Sequence, residues 1–166
     1  MKPILLFLWM TIVTITVAAQ QISGTYAIRN VQTGILLRIK DADTRNGTPI
    51  VAYSPVNWKC VTWDFKHVAD NTYQLVNLYS GKTLQPQTTA AAGATLEEQP
   101  LVTGNDNQEY EFIPAGKDQY LVKLKGTTLY LTPADDKGTV NAPVVLAPVN
   151  NTALQHWTLK EQHPEM

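Results

Sequence analysis

The chain has 166 residues, 44% of them apolar, and 13 basic against 14 acidic side chains give a formal charge of −1. That apolar share is enough for an ordered core, and without a run of Lys and Arg the composition suggests no nucleic-acid partner. Cys60 is the single cysteine, so no intramolecular disulfide can form and stability must come from packing; its thiol is expected to be a small buried apolar group.

Residues 1–19 carry one charge, Lys2, followed by an apolar run over 4–17 that closes on Val17, Ala18 and Ala19. A charged start, an apolar middle and a small-residue end describe a secretory signal peptide. The run is too short to cross a bilayer as a helix, which takes ~20 residues. Cleavage is expected after Ala19, leaving a secreted or periplasmic chain, 20–166, that forms one domain and does not insert in the membrane; an uncleaved anchor is the alternative. Removing Lys2 leaves 12 basic and 14 acidic residues. Asn46-Gly47-Thr48 and Asn150-Asn151-Thr152 match the N-glycosylation sequon, which matters only in a eukaryotic host.

The rest of the chain repeats with a period of 47 residues. One register relates Tyr26, Tyr73 and Tyr120; Ile28, Leu75 and Val122; Leu37, Leu84 and Leu131; Trp63, Tyr110 and Trp157; and Phe65, Phe112 and Leu159. Gly34 and Gly81 share a further column, which the third copy leaves by placing Gly126 two positions early. Three copies result, over about 24–70, 71–117 and 118–162.

Each copy reads as four strands. The first begins at Gly24 or Thr72, where apolar and polar residues alternate. A glycine turn at Gly34 or Gly81 leads to a short apolar strand, 35–39 in the first copy and Tyr130-Leu131 in the third. A loop rich in Asp, Asn, Gly and Thr follows, as in 41–48. The third strand covers 49–53 or 143–147 and opens on a proline, where no ladder donor is lost. The fourth covers 61–65 or 155–159. No stretch has a helical period. Twelve strands in three units are too few for a β-propeller, which needs typically four to eight blades. They suit an all-β trefoil: a short closed barrel capped by three hairpins, with pseudo-threefold symmetry and the repeated columns as core layers.

Gln155-His156-Trp157 and its variant Gln108-Glu109-Tyr110 resemble the Gln-x-Trp signature of the ricin B-type lectin family. Val61-Thr62-Trp63 keeps only the Trp. Gly34-Ile35-Leu36-Leu37, Gly81-Lys82-Thr83-Leu84 and Asn46-Gly47-Thr48 resemble other parts of the pattern, and the likeness covers essentially the whole mature chain. The resemblance implies a lectin whose signature Trp fills the core and whose Gln holds neighbouring backbone. It also implies a shallow sugar site in each repeat. An Asp after the second-strand Leu and an amide near the signature would bond hydroxyls, and a third-strand ring would stack on the sugar. Here the Asp column holds Arg38, Gln85 and Thr132, and the ring column holds Tyr53, Pro100 and Ala147. No copy keeps all three parts.

The first copy is the best candidate for binding carbohydrate: Arg38 as donor to hydroxyls or an acidic sugar, Tyr53 or Trp58 as stacking face, with Asp41 and Asn57 beside them. The alternative is that Arg38 pairs with Asp41 or Asp43 on the surface and Trp58 covers a barrel end. Gln85, Asn107 and Gln108 of the second copy form a runner-up site; the third copy reads as structural. No catalytic residue, metal site or cofactor is expected. His67, His156 and His163 lack metal-ligand or triad spacing, no Gly-rich phosphate loop occurs, and the neighbouring Glu97 and Glu98 must face opposite sides of a strand. The expected function is that of a secreted carbohydrate-binding module. The alternative is a protein partner, the chain then being a protein-binding trefoil such as a protease inhibitor.

Overall fold

A computed structural model describes residues 21–165; the expected leader and its cleavage point lie outside the described residues. Twelve strands follow in order: β1 Gly24–Asn30, β2 Leu36–Ile39, β3 Ile50–Tyr53, β4 Trp63–Ala69, β5 Thr72–Asn77, β6 Thr83–Pro86, β7 Leu96–Gln99, β8 Tyr110–Pro114, β9 Tyr120–Leu124, β10 Leu129–Pro133, β11 Val144–Pro148 and β12 His156–Glu161. Four single-turn 3-10 helices, Lys40–Ala42, Lys59–Val61, Asp106–Gln108 and Ala153–Gln155, are the only helical segments among the described residues.

Six strands close a ring. β1 pairs with β4, β4 with β5, β5 with β8, β8 with β9, β9 with β12, and β12 returns to β1, all antiparallel. Closure leaves this barrel no free edge. The remaining strands form the hairpins β2–β3, β6–β7 and β10–β11. These cap one end and are laced pairwise by backbone bonds. Ala52 N–H donates to the Ala142 carbonyl at 2.8 Å, Leu146 N–H to Ala94 at 2.9 Å, and Glu98 N–H to Thr48 at 2.8 Å. The fold is the β-trefoil that the repeats predict.

The repeated columns are the core. Ile28, Leu75 and Val122, then Leu37, Leu84 and Leu131, then Trp63, Tyr110 and Trp157 are buried in matching layers. Each signature ring also anchors its own copy. Trp63 Nε1 donates to the Leu37 carbonyl at 3.1 Å, Tyr110 Oη to Leu84 at 3.2 Å, and Trp157 Nε1 to Leu131 at 3.0 Å. The tyrosine keeps the bond because its hydroxyl reaches where the indole N–H does.

The tyrosine column closes the barrel end opposite the caps. Tyr73 is buried, whereas Tyr26 and Tyr120 are half-exposed. With Phe65 and Phe112 they pack edge to face, centroids 4.9–5.9 Å apart. The ring layer is interrupted at Leu159, and a cavity of about 560 Å³ opens at this end beside Tyr73, Phe112 and Tyr120.

Asn30 and Asn77, one repeat apart, build the first turn. Asn30 Oδ1 accepts from the Gln32 and Thr33 amides, and Asn77 Oδ1 from those of Tyr79 and Ser80. The third copy has Leu124 there. Its turn is held by Thr127 Oγ1 bonding the Leu124 carbonyl, with Gly126 at φ 70°, which accounts for the early glycine. Strand β4 starts at Trp63 and runs beyond the expected 61–65 through His67 to Ala69, with a shift of register. Cys60 is buried.

Candidate functional site

The three copies differ most at the residue after the second-strand Leu. In the second copy the signature glutamine turns toward it. Gln108 Nε2 donates to Gln85 Oε1 at 2.9 Å and to the Pro100 carbonyl at 3.0 Å, while Gln108 Oε1 accepts from the Val102 amide at 2.8 Å. The third copy repeats the arrangement. Gln155 Nε2 donates to Thr132 Oγ1 at 3.0 Å and to the Pro148 carbonyl at 2.8 Å, and Gln155 Oε1 accepts from the Asn150 amide at 2.8 Å. Both glutamines are buried. Their amides tie the loop after the third strand to the column where the sugar-binding Asp was expected.

The first copy cannot do this, because Val61 replaces the glutamine. Gln162, at the end of the domain, supplies part of the loop support: its Nε2 donates to the Val56 carbonyl at 2.9 Å and its Oε1 accepts from Thr62 Oγ1 at 2.8 Å. Nothing replaces the bond to the column. Arg38 is 8% exposed, and its Nε has no hydrogen-bond partner among the described residues. A buried donor left unpaired costs about 1–3 kcal/mol, so the site carries unspent donor capacity.

Arg38 sits opposite Val51 and Leu36 opposite Tyr53, which makes Arg38 and Tyr53 diagonal cross-strand neighbours within reach of long side chains. The guanidinium carbon lies 3.9 Å from the Tyr53 ring centroid, a cation–π contact. One face of Tyr53 is thereby taken. The Trp58 ring packs beside it, centroids 6.1 Å apart and tilted by 35°, and is 40% exposed.

Of the residues singled out from sequence, Arg38, Tyr53 and Trp58 come together, with exposed Asn57 next to Trp58 in the chain. Asp41, exposed and at φ 56°, lines a separate depression of about 420 Å³ with Lys40, Asp43 and Arg45. Arg38 pairs with neither Asp41 nor Asp43 among the described residues. Asp43 binds Arg45 instead, and that hydrogen bond holds its carboxyl below the ordinary carboxylate value. In the second copy Gln85 and Gln108 bond each other and Asn107 stays exposed, its amide N–H held by Asn105 Oδ1 at 3.1 Å. The ring-column residues there and in the third copy, Pro100 and Ala147, offer no stacking face.

Among the described residues no group of three or more His, Cys, Asp and Glu is placed to hold a metal ion. The histidines lie apart: His67 Nε2 is 3.1 Å from the Asp70 carbonyl, His156 Nδ1 3.0 Å from Gln119 Oε1, and His163 3.1 Å from Glu161. Glu97 is half-exposed while Glu98 is buried, and neither Glu98 oxygen has a hydrogen-bond partner of full geometry among the described residues. Burial raises the Glu98 carboxyl above its usual value, with Ser80 and Lys82 opposing the rise.

Sequence reasoning missed Gln162 and the turn-building Asn30 and Asn77. The asparagines could have been found from their spacing, but one and two periods before Gln162 stand Ala115 and Val68, so no column marks it.

The fold is shared with proteins of known structure. The designed threefold-symmetric protein ThreeFoil superposes with a TM-score of 0.78 at 23% identity, over 82% of this chain and 97% of that one. The Rhizoctonia solani agglutinin gives 0.77 at 19% identity, over 87% and 99%. A ricin B-like lectin from Macrolepiota procera, solved in complex with lactose, gives 0.70 at 22% identity, over 86% and 99%. No curated protein matches the sequence. The profile of the ricin-type beta-trefoil lectin domain-like family matches residues 9–99 and 59–132, and the chain belongs to that family.

Proposed function

We propose that this protein is an exported, non-catalytic carbohydrate-binding module whose first repeat contacts the glycan. The observation that carries the reading is the difference between copies. In the second and third, the residue at the expected sugar-binding position is bonded to the signature glutamine. In the first, Arg38 has no such partner and stands against the Tyr53 ring, beside which the widely exposed Trp58 packs. Trp58 offers a flat apolar face for the CH side of a sugar, and Tyr53, already covered by Arg38, backs it. The guanidinium behind the rings favours ligands that bring an acceptor toward it, acidic sugars above neutral ones.

Family membership supports a carbohydrate ligand. Export rests on the leader-like segment at 1–19, and the non-catalytic role on the scattered histidines and carboxylates.

The test is a glycan array and calorimetry with residues 20–166, comparing wild type with Trp58→Ala and Arg38→Ala. Binding by wild type, with a preference for acidic glycans that Arg38→Ala abolishes and an affinity that Trp58→Ala reduces, supports the proposal. Absence of binding to any glycan, or binding unchanged in both variants, contradicts it.

A further inference from the structure

Trp58 has a second neighbour. Beyond the Tyr53 side, it forms one wall of an apolar cleft of about 330 Å³, with Ala42, Lys59 and Cys60 along the cleft and Tyr79 also lining it. Tyr79 is 51% exposed. It belongs to the first turn of the second copy, so the cleft spans two repeats.

Both rings stand on one stitched support. Asn77 Oδ1 accepts from the Tyr79 amide at 3.0 Å, and Asn77 Nδ2 donates to the Cys60 carbonyl at 3.1 Å. Asn77 therefore links the turn that carries Tyr79 to the short helix that follows Trp58, and it is buried. The backbone under both rings is thereby held in place, so binding need order only the two side chains.

The molecule contains its own control. One period of 47 residues on from Trp58 stands Asn105, and two periods on, Thr152; the counterparts of Tyr79 are Gln32 and Gly126. The junction between the third and first copies repeats the tie, Asn30 Nδ2 donating to the Leu154 carbonyl at 2.7 Å, without either ring, so the fold does not require them. Two exposed rings that the fold does not need, set around an apolar floor and continuous with the candidate site, present a ligand surface. The cleft lies at the low end of small-molecule pockets, ~300–1,000 Å³, a size that suits one sugar ring and not a folded partner.

We propose that the Trp58–Tyr79 cleft is a second sugar subsite, so that the ligand is an oligosaccharide with one unit near Arg38 and Trp58 and the next between Trp58 and Tyr79. This rests on the carbohydrate-binding reading above. A sugar unit presents its CH face to each ring in turn, while its hydroxyls stay in water or meet the Lys59 ammonium at the rim.

The experiment is isothermal titration of residues 20–166 with lactose, sialyllactose, and chain-length series of β-1,4-glucan and chitin oligomers from one to six units. Wild type is compared with Tyr79→Ala and Tyr79→Phe. Affinity is expected to rise from one unit to two or three in wild type and in Tyr79→Phe. Tyr79→Ala should lose that rise, weakening the longer ligands by roughly two- to tenfold and leaving the single unit unchanged. An exposed turn residue can be changed without unfolding the domain, which circular dichroism checks. If wild type binds but shows no dependence on length, or Tyr79→Ala keeps it, the subsite is refuted while the Trp58 site stands. If wild type binds none of these ligands, both fall together.

Discussion

The signature glutamine of the third copy offers a quantitative test of how the loops are held. Gln155→Ala removes three hydrogen bonds, to Thr132 Oγ1, the Pro148 carbonyl and the Asn150 amide. At a net contribution of about 1 kcal/mol each, with buried partners left unpaired, the loss should be about 2–4 kcal/mol. For a domain of this size, each kcal/mol moves the melting temperature by about 2–4 °C, so melting should fall by roughly 5–15 °C. Urea unfolding of residues 20–166, followed by far-ultraviolet circular dichroism and tryptophan fluorescence, gives the free energy directly. Asn107→Ala, an exposed amide in the same motif of the second copy, is the control and should stay within about 0.5 kcal/mol of wild type. A loss under about 1 kcal/mol for Gln155→Ala would refute the claim that this amide is a structural tie.

Other outcomes follow from the same reasoning. Glu98 is buried, and burial raises its carboxyl against the opposing pull of Ser80 and Lys82. Between the usual carboxylate value and the raised one, the folded chain holds a proton that the unfolded chain releases, so stability should fall as pH rises through that window and return as pH falls. Glu98→Met should be more stable than wild type at neutral pH by about 1–3 kcal/mol and should flatten that dependence in denaturation measured from pH 4 to 8. Arg38→Met, which removes the unpaired Nε, should fold with unchanged or higher stability while losing preference for acidic glycans; a loss above about 2 kcal/mol would show that the cation–π contact outweighs the unpaired donor. The Cys60 thiol should resist labelling by a maleimide until the chain unfolds, and rapid labelling of the native protein would contradict its burial.

Most of the architecture was legible in the sequence because a trefoil repeats one burial pattern three times. The Leu37, Leu84 and Leu131 column and the Trp63, Tyr110 and Trp157 column sit where their spacing places them, since only buried positions must keep an apolar side chain in every copy. The tyrosine column was legible as a column but not in its role. Tyr26 and Tyr120 lie at the barrel mouth, where one side of a ring can face water, and alternation along a strand cannot separate that from full burial. The extent of β4 escaped because its register shift beyond His67 leaves no compositional mark.

The candidate site was partly legible. Arg38 and Tyr53 are in contact because a strand pair fixes which residues lie diagonally opposite. That the guanidinium would cover the ring face, and leave stacking to Trp58, depends on side-chain conformation and has no sequence signal. Tyr79 went unremarked because it belongs to the next repeat and meets Trp58 only once the barrel closes. The bonds from Gln108 to Gln85 and from Gln155 to Thr132 likewise join residues 23 positions apart. They show why the residue at that column is tied to the signature glutamine in the second and third copies, while Arg38 in the first is not.

The most direct measurement is a crystal structure of residues 20–166 soaked with an acidic oligosaccharide, sialyllactose being the first choice. Sugar density is expected against the exposed face of Trp58, with the acidic group directed to Arg38 and none beside Gln85 or Thr132. Sugar bound at the second or third copy with the Trp58 face bare would contradict it.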